Sequence, residues 1–247
     1  VTQIKTFKDT LVSLFYYFHK SPTKQDMLED IMKVLDEPTI RLKEVHQVRW
    51  LSCFNAIQTV VRVLGSLITF FIQKKEQIGD PKAIGMLKKI RSQLFVKISY
   101  GMLDWLQPIM KLTLIFQRKE LDISLVKINI QNCIRDLNTM LDGKMPVGQC
   151  ESSPPIDKDG VFKGHQLIND AACFENVKKR FLTAMMENVK KRFPDNDFMM
   201  RFGILGLRSI NFLTKDEVHE WGNEDVKVLA EYYRNEKEHQ VDGQTII

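Results

Sequence analysis

The chain predicts a mainly α-helical, multi-helix bundle with very little strand, and three observations carry that prediction. Apolar residues recur at spacings of three and four along most of its 247 residues, the period of helices that bury one face. Runs of alternating β-branched residues are almost missing; before Trp50 only Thr39–Lys43 reads as a short strand. Ser21-Pro22 and Asp80-Pro81 each place a capping residue before a proline, the usual opening of a helix. At 44% hydrophobic and 27% charged the composition is globular, which excludes wholesale disorder.

The elements follow in order. Over 2–19, Ile4, Phe7, Leu11, Leu14 and Phe18 make one helical face. A second helix runs from Pro22 to about Leu35 with Met27, Ile31, Val34 and Leu35 inward, and Asp36-Glu37-Pro38 stops it. The segment 51–73 reads as a single central helix. From Cys53 to Ile72 its only charge is Arg62, and Asn55, Gln58, Arg62, Ser66 and Thr69 form one narrow polar stripe. A span of this length and apolarity also fits a membrane, but the stripe and its arginine favour the centre of a bundle.

A long helix over 81–118 follows, with Gly101 and Pro108 predicting a kink near 104–108. Trp105 falls on its apolar stripe, as a core residue does. A helix capped by Ser124 comes next, burying Val126, Ile130, Ile134, Leu137 and Leu141. Asp142–Gly164 holds four glycines and three prolines in 23 residues, which predicts a flexible loop or linker. The domain organisation is therefore a helical region at 1–141, a linker at 142–164, and a C-terminal helical region at 165–247 packing on the first. In that last region Asn176–Phe181 is repeated verbatim as Asn188–Phe193. Two shorter helices, over 198–213 and 224–238, meet at a turn around Trp221-Gly222.

The net charge of +5 is unevenly placed: residues 74–119 hold ten Lys/Arg against three acids. A surface of this kind attracts polyanions, although a solvated helix face gives the same pattern. Lys82, Lys89 and Lys97, at spacings of seven and eight, would share one face of a continuous helix, with Lys88 and Arg91 beside them. Four cysteines far apart, without a CxxC pair, suggest reduced thiols in the cytoplasm or nucleus. No charged-then-apolar leader opens the chain. The five histidines have no metal-ligand spacing, and no phosphate-binding or nucleophile-elbow motif is present. Neither a cofactor, a metal, a catalytic residue nor a small-molecule substrate is expected.

Arg49-Trp50-Leu51-Ser52, followed by Ala56 and an apolar helix, resembles the RW-L-S segment of hobo/Activator-type (hAT) transposases. Phe18-His19-Lys20-Ser21-Pro22, Arg192-Phe193-Pro194-Asp195 and Trp221-Gly222 are similar to further stretches of that family, in the same order. The likeness is nearest to vertebrate proteins domesticated from such transposons, some with zinc fingers. It implies the helical insertion of a ribonuclease-H-like transposase, with the metal-binding carboxylates outside this chain and hence no catalysis. It also implies a nuclear, DNA-associated protein, in which Trp50 stacks on an extruded nucleotide or else wedges a junction, and Arg49 meets a phosphate or caps a carbonyl. The alternative is an interaction or dimerisation scaffold with no nucleic-acid role.

Overall fold

The computed structural model describes residues 2–45, 50–119, 125–149, 151–193, 201–205 and 221–239. Helix dominates them, and the one sheet among them is a two-stranded hairpin. α1 (Thr2–His19) buries Ile4, Phe7, Leu11, Leu14 and Phe18, the predicted face. α2 (Pro22–Val34) begins where expected, but its buried face is Leu28, Ile31 and Met32. Val34 is 84% exposed and Leu35 is also at the surface. The face is turned because the helix stops at Leu35, and Asp36 at φ 52° swings the chain away before those two residues can pack. No strand forms over 39–43; Leu42 and Val45 enter the core singly from extended chain.

The predicted central helix is two helices. α3 (Trp50–Arg62) and α4 (Leu64–Ile78) meet at Val63 with a 67° bend. No single described helix is long and apolar enough to cross a membrane; only this bent pair passes on length and composition together. The bend also divides the polar stripe. Gln58 and Arg62 on α3 face solvent, while Ser66 on α4 is fully buried.

A break leaves the first N–H groups of the new helix without partners, and here a carboxylate from the end of α2 supplies one. Glu37 Oε2 accepts from Ser66 N at 3.0 Å and from Ser66 Oγ at 2.7 Å. Negative charge at a helix N-terminus is also favoured by the macrodipole. Gly65 leaves room for this approach, since a Cβ there would lie 2.8 Å from Glu37 Oε1.

The predicted long helix is three: α5 (Pro81–Ile90), α6 (Gln93–Trp105) and α7 (Gln107–Phe116). The interruption at Leu106 falls within the expected kink, and Pro108 sits in the first turn of α7, where its missing N–H costs nothing. The interruption at Arg91-Ser92 was not expected. Ser92 Oγ caps α6 by accepting from Phe95 N at 3.1 Å. The exposed backbone there pairs with Ile168, through Ile168 N to Arg91 O at 2.7 Å and Gln93 N to Ile168 O at 3.0 Å.

α8 (Val126–Leu141) buries Cys133, Leu137 and Met140; its expected cap, Ser124, lies outside the described residues. Described residues of the segment 142–164 make contacts with the helices. Asp104, only 4% exposed, accepts from Ser152 N at 2.9 Å and Ser152 Oγ at 2.7 Å. Further on, β1 (Val161–Phe162) pairs antiparallel with β2 (His165–Gln166), and Phe162 is completely buried. Lys163 in the hairpin turn reaches Glu37, and His165 Nε2 lies 3.0 Å from Thr69 Oγ1. Thus the buried half of the polar stripe is where the hairpin docks.

After a 3-10 turn at Ala171–Cys173, α9 (Phe174–Arg192) packs Phe174 and Phe181 against Trp105, which is a core residue. Gly101 lies beneath Trp105, with a Cβ position 2.6 Å from Cζ2. One hydrophobic cluster runs from α1 to α9. Of the two last predicted helices, α10 (Asn223–His239) is present after a turn at Gly222, tied to Arg201 by its Asp225 at 2.7 Å. Most of 198–213 lies outside the described residues, apart from a 3-10 turn at Phe202–Leu205.

Candidate nucleic-acid and partner-binding surfaces

Because α5 and α6 are separate helices, the predicted basic stripe does not hold together. Lys82, Lys88 and Lys89 are exposed on α5, and none pairs with a carboxylate among the described residues. α5 packs against α4, on which Lys75 is exposed and Lys74 half-buried. The Nε and Nη2 of Arg91 donate to Gln166 O at 3.0 and 2.6 Å, fastening the β-hairpin to the end of α5. Lys97 stands 5.8 Å from the Phe174 ring. It borders a small cavity of about 170 Å³ together with Asp104, Glu151, Glu175 and Lys178. Mixed charge of that kind does not favour an anion.

Arg49 lies outside the described residues. Trp50 opens α3 half-buried, with Lys8 Nζ 5.1 Å from its ring centroid. It borders a cavity of about 360 Å³ between α7 and α9. That volume falls within the roughly 300–1,000 Å³ of small-ligand pockets. Ile109, Leu112 and Phe116 line it from α7, and Phe181, Met185 and Val189 from α9. None of Lys82, Lys88, Lys89, Arg91 or Lys97 lines this cavity. Trp50 and these five predicted cations are therefore not brought together at one cavity.

No protein-family model, curated relative or solved structure matches this chain. Residue chemistry alone must assign the surfaces.

Sequence reasoning missed two groups at the Trp50 cavity. Lys8 reaches Trp50 only through the packing of α1 on α3, which no local pattern announces. Arg192 and Phe193 were visible as the second copy of the repeat, but the meeting of the end of α9 with α7 there was not. Phe193 touches Phe116, with centroids 5.3 Å apart. Residues 177, 181, 185, 189 and 193 step by four along α9, so both copies turn a valine and a phenylalanine inward.

Among the described residues no group of three His, Cys, Asp or Glu side chains could hold a metal ion. The described cysteines are free, and burial pushes the Cys133 thiol up to about 12, which keeps it protonated.

Proposed function

We propose that this chain is the non-catalytic helical portion of a transposase-derived nuclear protein, and that it holds DNA weakly through phosphates. The observation that carries this reading is the basic face of α5, where Lys82, Lys88 and Lys89 are exposed and unpaired among the described residues. Exposed lysines on one short helix meet the backbone of a duplex without reaching base edges, so binding is sequence-independent. The resemblance to hAT transposases, with its carboxylates outside this chain, supports the non-catalytic half of the reading.

The test is the salt dependence of duplex binding. Reversing the charge of Lys82, Lys88 and Lys89 together should flatten the slope of log K against log salt by ~2–3 units, if each contacts one phosphate. An unchanged slope would remove the DNA reading. The chain supplied with magnesium or manganese should neither nick nor join DNA, and cleavage that co-purifies with it would remove the non-catalytic assignment.

A second reading, an interaction scaffold without a nucleic-acid role, is favoured by a different observation. The Trp50 cavity is walled mainly by aliphatic and aromatic side chains, and none of the α5 lysines lines it.

A further inference from the structure

We propose that the Trp50 cavity is an anchor pocket for an acidic protein segment that carries bulky apolar side chains. The proposal rests on the scaffold reading, is independent of the α5 surface, and names the chemistry of the partner.

The frame of the cavity is positive. The C-terminal ends of α7 and α9 meet where Phe116 and Phe193 touch. Arg118 and Lys119 follow α7 directly after the lining residue Gln117, and Lys190, Lys191 and Arg192 end α9, all exposed; of the five, Arg192 lines the cavity itself. Lys8 adds a sixth cation beside Trp50. Among the described residues no acidic side chain lines the cavity. Each helix C-terminus contributes roughly half a negative charge and the exposed Glu187 on α9 a full one, so together they offset about two of the six cations. The excess remains strongly positive and attracts an acidic partner.

The interior selects an apolar group over a nucleobase. A buried base must have its polar edge satisfied, because an unpaired donor or acceptor loses its water without compensation. The polar side chains that line the cavity are largely committed elsewhere. Thr113 Oγ1 donates to Ile109 O at 2.8 Å, and Asn188 Nδ2 donates to Ala184 O at 2.8 Å. The donors left are the Trp50 indole, the second Asn188 N–H, Gln117 and Arg192; the last three are solvent-exposed, and the deep walls at Ile109, Leu112, Phe181, Met185 and Val189 offer none. A leucine or phenylalanine needs no such partner and finds Trp50, Met185 and the α7 wall. Met185 adds an adaptable surface of the kind used for protein segments. The groove between the two helix ends suits an amphipathic helix whose anchors lie one turn apart.

The experiment uses fluorescence anisotropy with three labelled probes. They are an acidic peptide bearing a leucine and a phenylalanine one helical turn apart, the same peptide with both replaced by alanine, and single-stranded oligo-dT. The anchored peptide should bind roughly tenfold or more tightly than its alanine control, the yield of burying one or two such side chains. Ala184→Trp, which fills the cavity, should erase that difference with an unchanged circular dichroism spectrum. Should that spectrum change, Asn188→Trp at the exposed edge of the same cavity takes its place. Lys191→Glu with Arg192→Glu should weaken both peptides. Equal binding of the two peptides would overturn the proposal. So would tighter binding of oligo-dT that Ala184→Trp abolishes, which would put a base in the cavity. Concentration-dependent self-association without peptide binding would leave the scaffold reading standing and end the anchor pocket.

Discussion

His165 shows how much one side chain contributes to holding the hairpin. Burial, and after it the nearby Arg91 charge, lower its pKa from the ordinary 6.5, while the Gly65 backbone and Glu37 act in the opposite direction. The neutral ring is thus the form that fits beside Thr69. With the folded value below the unfolded one, the unfolded chain binds the proton more readily. This contribution is present above pH 6.5 and is lost as pH falls through the lower folded value. Thermal midpoints should therefore drop as the buffer goes from pH 7 toward pH 5, and His165→Gln should shrink that drop; an identical profile would show that His165 does not report on docking. Asp104 moves the other way, raised chiefly by burial and opposed by the two Ser152 hydrogen bonds. Ser152→Ala removes one of those bonds and should cost ~1–3 kcal/mol in urea titrations, because a buried acceptor loses its donor. Trp105 was legible as core from its place on the apolar stripe. His165 was not, since its partner lies 96 positions away in the chain.

Element boundaries were legible only where glycine, proline or a capping residue marked them. Pro22 and Pro81 open α2 and α5 as read, and Gly79 closes α4 in the left-handed conformation. The break at Val63 has no such mark: Arg62-Val63-Leu64 is a good helical sequence, and tertiary packing overrides it. What makes the break tolerable is Glu37, whose carboxylate caps α4 from another element. Gly65→Ala tests this directly. The added methyl would push against Glu37 Oε1, displacing the cap, even though alanine is the better helix former. We expect a net loss of ~1–2 kcal/mol; a gain in stability would mean that the cap is dispensable. The break at Arg91-Ser92 could have been read from Ser92 as a cap, but the continuous apolar register concealed it.

At the scale of the whole molecule, apolar periodicity showed the bundle, whereas composition could not show which contacts the glycine- and proline-rich segment makes. Glycines and prolines serve tight turns as readily as loose chain. Gly143 and Gly148 take positive φ around an exposed stretch, Gly160 and Gly164 around the docked hairpin. The two halves of the segment should therefore respond differently to limited proteolysis. Trypsin should cut after Lys144, exposed and without a side-chain hydrogen bond among the described residues, before it cuts after Lys158 or Lys163. Preferred cutting at Lys163 would show that the hairpin opens in solution. The candidate sites were less legible than the fold. The cations that count at the Trp50 cavity come from α1, α7 and α9, and only the packed molecule brings those three together.

The Glu37 carboxylate also implies an order of assembly. Its bonds to Ser66 close a separation of 29 residues, whereas its contact with Lys163 closes 126. Two doublings of loop length add about 1.2 kcal/mol of closure entropy. A chain emerging from the ribosome has α4 capped long before the hairpin is synthesised. During that interval the carboxylate lacks its cation, and the apolar slot later filled by Phe162 stands open. A nascent chain stalled near residue 150 should accordingly be well folded through α4 and still be held by chaperones that recognise exposed apolar surface.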